Sequence, residues 1–190
     1  MSDIQLKKDN RTWTRNKART YHESWATEVE VFDFLYGFVR MIKPEKVLEI
    51  GTFEGDTAIA IAKGLQSNNF GHLTTLDIRD YGQEENIANL ELNHYVQCIK
   101  SNPLEYITQT TERFDMAFID DGHSYEDCIR DLENCNRLIK INGYILGHDI
   151  LMINGVSLAY NAFLEKYKAK YHNMIIYSYD GVFILKKLYN

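Results

Sequence analysis

Extended and helical patterns take turns along this chain, and that alternation limits its fold more than any other feature. Lys46-Val-Leu-Glu-Ile50 is a short β-prone run that passes at once into the glycine segment Gly51-Thr-Phe-Glu-Gly55. Thr57-Ala-Ile-Ala-Ile-Ala-Lys63 then reads as a helix whose small residues allow close packing on a sheet. A strand over 72–77, a helix in the 80s and a strand over 95–99 follow. Asn102, Pro103 and Glu105 have the order of an N-cap, first and third helical positions. Phe114–Ile119 is a further strand, and Ser124 with Asp127 opens a helix running to about Leu138. Asn142-Gly143 reads as the close of that helix, before a strand at Tyr144–Leu146 and a helix over 156–170. Upstream, Thr27 and Glu30 have capping-box spacing, with Phe32, Leu35, Tyr36, Val39 and Ile42 at helical intervals and Pro44 as the stop. At the other end, Asn173–Ser178 and Val182–Lys187 flank Asp180-Gly181, a hairpin signal.

Strands joined through helices require parallel crossovers and a sheet covered on both faces. The prediction is an α/β fold: a doubly wound, mostly parallel, seven-stranded sheet closed by a C-terminal antiparallel hairpin. No linker divides it, so residues 22–190 form one domain. Residues 1–21 are a polar arm carrying Lys7, Lys8, Arg11, Arg15, Lys17 and Arg19, either solvated or closing over a site as a lid.

Composition narrows the class. With 21 Lys+Arg against 27 Asp+Glu the net charge is −6, which disfavours a nucleic-acid backbone as partner. Hydrophobic residues at 45% give a chain of 190 residues enough material for a core. No apolar run approaches the roughly 18 residues of a membrane span, and the first thirty residues contain no signal-like apolar stretch. Cys98, Cys128 and Cys135 form no C-x-x-C pair, which speaks against a disulfide framework or a cysteine zinc site. The expectation is a cytoplasmic protein without a membrane partner, with a second copy of the chain left open as a partner.

In doubly wound sheets, ligands bind at the carboxyl ends of the strands beside the switch point. Glu49-Ile50-Gly51 ends the first strand, with Gly55 opening the next helix. Phe53 and Asp56 occupy positions where a dinucleotide fingerprint has glycine, and Glu49 would repel a pyrophosphate. A carboxylate there suits an ammonium or sulfonium group instead, or pairs with a nearby Lys or Arg. Asp77 ends the second strand, about 20 residues beyond the glycine turn, where a carboxylate can accept both ribose hydroxyls or simply be solvated. Asn102 can cap a helix and still offer its amide NH₂ to an adenine edge.

The fourth strand ends in Asp120-Asp121-Gly122-His123 and the fifth in His148-Asp149. Neighbouring parallel strands lie about 5 Å apart, so Asp120 and Asp149 could face one another. Close carboxylates repel unless a cation lies between them, and an oxygen-liganded divalent ion such as Mg²⁺ would serve. His123 on the same rim is a candidate general base, with an expected pKa near ~6.5. N-capping for the carboxylates, and a local hydrogen bond for His123, are the structural alternatives.

Val47–Thr57 resembles motif I of class I S-adenosylmethionine-dependent methyltransferases, with Glu49, Gly51 and Gly55 at its acidic and glycine positions. The segments Phe114–Glu126 and Leu138–Asp149 are similar to the small O-methyltransferase-like group that includes cephalosporin-biosynthesis and sugar methyltransferases. That resemblance implies a Rossmann-like methyltransferase fold. It implies that Glu49, Gly51, Thr52 and Gly55 line the methionine part of the cofactor, with Thr57 near its carboxylate. Asp77 would hold the ribose and Asn102 would stand near adenine. Asp120 would join the cofactor-contacting and catalytic residues, with His123 as base and Asp120 and Asp149 as metal ligands. The implied reaction is O-methylation of a small-molecule or sugar hydroxyl. Two departures stand out: Phe53 replaces a small residue, and Asp-Asp-Gly-His replaces Asp-Gly-Asp-His. A nicotinamide-dependent oxidoreductase and a non-catalytic nucleoside-cofactor-binding module are the competing expectations on this fold.

Overall fold

The computed structural model describes residues 27–189 and two short strand pieces, Lys7–Lys8 and Arg11–Thr12, which pair antiparallel. The rest of the polar arm lies outside the described residues, and so does the expectation that it acts as a lid. The strands of the main sheet are β1 (Lys46–Ile50), β2 (His72–Asp77), β3 (Val96–Lys100), β4 (Phe114–Ile119), β5 (Ile139–Gly147), β6 (Tyr171–Ile176) and β7 (Val182–Lys187). The helices are α1 (Val29–Ile42), α2 (Asp56–Asn68), α3 (Gln83–Ala88), α4 (Pro103–Gln109), α5 (Tyr125–Leu138) and α6 (Asn154–Tyr167).

The seven strands lie in the order β3-β2-β1-β4-β5-β7-β6. β1 through β5 pair in parallel, and β7 is antiparallel to both of its neighbours. This is the expected doubly wound sheet with one reversed strand. Central β1 and β4 are covered on both sides, so they are almost continuously apolar, as two-sided burial requires. One core lies under α1 and α2, around Phe32, Leu35, Ile61 and Leu65; the other lies under α5 and α6, around Leu132, Cys135 and Phe163. Among the described residues no helix is long and apolar enough to cross a membrane.

Four local expectations need correction. Thr27 does not cap α1. Glu28 occupies the N-cap without a side-chain capping bond, and the Thr27 hydroxyl donates to Asp120 Oδ2 at 2.9 Å instead. Asn142-Gly143 does not close α5. The chain passes directly from Leu138 into Ile139, and the carbonyls of Asn136 and Ile139 are met by the Lys187 ammonium from β7 at 2.8 and 3.2 Å. With the helix end satisfied across the sheet, Asn142 (φ 67°) sits instead in a bulge of β5 between the pairs Phe114↔Ile139 and Met116↔Tyr144. α6 stops at Tyr167 and gives way to a 3₁₀ turn, Lys168–Lys170. The hairpin starts at Tyr171 rather than Asn173, so a loop over 177–181 joins its strands.

Candidate functional site

The sheet order reverses between β1 and β4. From β1 the chain winds outward through α2 to β2 and β3, then returns to β4 on the other side, so a crevice opens beyond these two strand ends. The ends touch there: the Asp120 amide donates to the Ile50 carbonyl at 2.9 Å. Gly51 has φ +94°, and a β-carbon on it would overlap the Asp120 carbonyl. Only glycine fits both demands.

Beyond Gly51 the turn is held by Asp77. Its Oδ2 accepts the Phe53 amide at 2.8 Å, while its Oδ1 accepts the Arg79 amide at 2.9 Å. Phe53 is thereby fixed in the left-handed region (φ 47°), and its ring packs on Tyr81 with centroids 4.8 Å apart. Gly55 (φ +91°) caps α2, so the unpaired amides of the first helical turn begin beside this loop. Thr57 is buried in that first turn.

Glu49 lies under the loop and is 0% exposed. Its Oε2 accepts the Thr75 hydroxyl at 2.5 Å, and Thr75 is in turn 2.5 Å from the Thr52 hydroxyl. Its other oxygen, Oε1, has no hydrogen-bond partner among the described residues. Burial pushes this carboxyl up to about 8, with the nearby charges of Asp120 and Asp77 adding to the shift against the hydrogen bonds that favour ionisation. A buried half-paired carboxyl at a ligand crevice lacks a donor, preferably a cationic one.

Asn102 caps α4, its Oδ1 accepting the Leu104 amide at 3.0 Å. Beside it, Ser101 Oγ is buried without a partner among the described residues, and the Ser101 amide is bonded to the Asp77 carbonyl. Sequence reading passed over Ser101, because a lone serine at a strand end carries no pattern of its own.

The second half of the site lies across Asp120. His123 Nε2 stands 2.7 Å from Asp149 Oδ2 and 3.7 Å from Asp120 Oδ1. The buried His148 ring points Nε2 at Glu28 Oε2 (2.5 Å). Its Nδ1 lies 3.3 Å from Asp149 Oδ1 and 3.5 Å from Asp120 Oδ2. Asp149 takes φ 64°, and its carbonyl accepts the Met152 and Ile153 amides, so the bend after β5 turns both His148 and Asp149 into the cluster. Asp120 and Asp149 therefore do face one another, with imidazoles between and beside them.

These charges settle one another. The carboxylates of Asp120 and Asp149 beside it push His123 up to about 10 against its partial burial. Burial works against a charged His148, yet Asp120, Glu28 and Asp149 together push it up to about 11. Burial likewise opposes ionised Glu28, and the His148 contact still holds it down at about 2. Asp120 is held below the ordinary carboxylate range by both histidines, despite its burial. The expectation that His123 titrates near 6.5 is thus corrected: flanked by two carboxylates, it carries a proton at neutral pH.

The structure therefore gathers Glu49, Gly51, Thr52, Gly55, Thr57 and Asp77 into one neighbourhood, and Asp120, His123 and Asp149 into a second that meets the first at Gly51. Asn102 stands at the edge of the crevice. Glu28 and His148 are functional candidates that sequence reasoning missed. The adjacency of His148 to Asp149 was a usable signal for the histidine, whereas Glu28 lies 120 positions from its partner and gave none.

A family model described as a methyltransferase domain matches residues 48–150, from β1 to the bend after β5. No curated protein matches the chain. Among solved structures, the chain is similar to an O-methyltransferase from Bacillus cereus in complex with SAH (22% identity, 87% of this chain and 84% of that one, TM-score 0.73). It is similar to the O-methyltransferase TomG from Streptomyces achromogenes, in complex with SAM (18%, 86% and 82%, 0.73). The SAH-bound methyltransferase PaMTH1 from Podospora anserina is a third (17%, 85% and 80%, 0.72). At these identities the likeness is one of fold.

Proposed function

The chain belongs to the methyltransferase-domain family, and from that premise we propose that it transfers the methyl group of S-adenosylmethionine to a hydroxyl of a small molecule or sugar. The observation that carries this reading is Glu49: a fully buried carboxyl with one unpartnered oxygen, two residues before the glycine at the switch point. A donor bearing an ammonium and a sulfonium group supplies the cationic character that this carboxyl lacks. SAM and SAH in the similar structures support the same donor.

In this reading Gly51, Thr52 and Gly55 let the methionine portion lie against backbone, and Thr57 with the first turn of α2 receives its carboxylate. Asp77 keeps the loop closed through two amides and uses its remaining lone pairs on the ribose hydroxyls. Asn102, whose Oδ1 serves the cap, offers its NH₂ to adenine, with Ser101 Oγ beside it. Asp120 borders both the donor and the acceptor. Leu151 and Met152 on the bend after β5, and Tyr177 and Tyr179 on the loop bonded to it, are exposed and are the candidate acceptor contacts.

Transfer forms an O–CH₃ bond, breaks the S–CH₃ bond and leaves a neutral thioether, while the hydroxyl proton must go to the protein. The rate depends on in-line alignment and on that deprotonation. His123 is one-third exposed at the crevice and is the candidate acceptor of the proton. Between the two carboxylates the ring holds protons on both nitrogens, so the Nε2 proton must first pass to solvent before that nitrogen can take the one from the hydroxyl.

A divalent ion fits the residues present once His123 gives up a proton: Asp120, His123 and Asp149 each offer a ligand atom within 4.8 Å of the others. Two carboxylates with an imidazole suit Mn²⁺ or Fe²⁺ at least as well as Mg²⁺. Asp120 and Asp149 would hold the ion, which when bound would lower the pKa of an acceptor hydroxyl. A nicotinamide oxidoreductase gains no support from the matched family.

The test is label transfer from methyl-labelled S-adenosylmethionine to a panel of sugar and phenolic hydroxyls. His123→Ala and Asp149→Ala are each expected to lower kcat by about 100-fold or more. Unchanged turnover in both variants would remove the assigned chemistry.

A further inference from the structure

Glu28 lies outside the crevice, yet it joins the hairpin loop to a histidine of the site. It sits at the entrance to α1 and is almost fully buried, so its carboxylate needs good partners to be there at all. Its Oε1 accepts the Ser178 hydroxyl and the Asp180 amide, each at 3.0 Å, both from the hairpin loop 177–181. Its Oε2 meets His148 Nε2 at 2.5 Å. The same loop reaches the bend after β5 a second time, because the Asp180 carbonyl accepts the Leu151 amide at 2.9 Å. His148 in turn places Nδ1 between Asp120 and Asp149, and Thr27, adjacent to Glu28, donates to Asp120.

We propose that Glu28 is a positioning residue that couples the hairpin loop 177–181, through His148, to the geometry of Asp120 and Asp149. An apolar pair could fasten a helix entrance to a hairpin without the desolvation cost of an ion pair. The charged pair does something an apolar one could not: it fixes which nitrogen of His148 faces the carboxylates. The loop it grips carries the exposed Tyr177 and Tyr179, the candidate acceptor contacts. Contact of an acceptor with those rings therefore bears on Ser178 and Asp180, then on Glu28, and through His148 on the carboxylates that flank His123. As a positioning role in methyl transfer this rests on the function proposed above; the coupling itself rests on the contacts alone.

The experiment uses the full chain with ¹⁵N-labelled histidine, with and without S-adenosylhomocysteine. Ring-nitrogen resonances are compared among wild type, Glu28→Gln and Ser178→Ala. Glu28→Gln is expected to move the signals of His148 and also of His123, which Glu28 does not touch, and to raise amide exchange at Asp180 at least tenfold. Ser178→Ala alters no charge, so a field effect cannot mimic its result; it is expected to move both histidines in the same direction by less. It also decides the matter should Glu28→Gln fail to fold. Shifts confined to His148, or a Ser178→Ala spectrum identical to wild type, would overturn the coupling. Failure of wild type to bind S-adenosylhomocysteine would count against the methyl-donor reading and leave the coupling to be judged on the unliganded spectra.

Discussion

Replacing Glu49 with Gln should make the unliganded protein more stable and a worse binder, and the size of the effect follows from the burial of this side chain. The carboxyl is 0% exposed and its pKa rises from 4.5 to about 8. A group whose folded pKa is raised favours the fold while protonated. The unfolded chain ionises from pH 4.5 upward while the folded one still holds its proton, so stability falls as pH rises through this window. Between pH 5 and pH 8 the shift corresponds to roughly 3 kcal/mol, with no screening discount because the group is out of water. For a chain of this length that is a fall in Tm of roughly 6–12 °C. Glutamine keeps the shape and an oxygen for Thr75 and does not titrate. Thermal unfolding of wild type and Glu49→Gln at pH 5 and pH 8, without ligand, should show this component in the wild type only. The same variant should bind S-adenosylhomocysteine at least tenfold more weakly, a loss of about 1.4 kcal/mol. Equal pH dependence in the two proteins, or undiminished binding by the variant, would refute the reasoning.

Other consequences follow from the same geometry. Gly51→Ala combines a positive φ with overlap of the Asp120 carbonyl and should cost about 2–5 kcal/mol, read as a lower midpoint in denaturant; a loss under about 0.5 kcal/mol would contradict the close approach of β1 and β4. Glu28 has a folded pKa depressed to about 2, so its stabilisation is present above pH 4.5 and lost as pH falls toward 2. Glu28→Gln lacks this component, so it should lose less stability than wild type between pH 5 and pH 2 and show a broader acid transition, measured by circular dichroism over that range.

The sheet could be read from the sequence because its determinants are local. Central β1 and β4 are short, largely apolar runs bounded by turn residues, and β1, β2 and β4 fall within the predicted limits. Gly51, Asp77, Asp120 and Asp149 were legible as strand-end residues for the same reason, since the fold rule makes those ends the place to look. What could not be read depends on which partners the fold supplies. Thr27 has a capping-box neighbour in sequence but Asp120 in space. Asn142-Gly143 has the composition of a helix stop, yet Lys187 from the far end of the chain satisfies α5 and leaves the pair to form a bulge. The proton on His123 depends on two carboxylates that close on it only once β4 and β5 are paired. Glu28 and His148 are fixed to each other only through the tertiary structure.

The central claim is that the crevice beside Gly51 receives an adenosine-bearing cation, and direct titration calorimetry tests it. Wild-type protein should take up S-adenosylmethionine and S-adenosylhomocysteine with a stoichiometry of about one, and should give no heat with NAD under the same conditions. Heat with NAD, together with none from either methionine-derived nucleoside, would contradict the account.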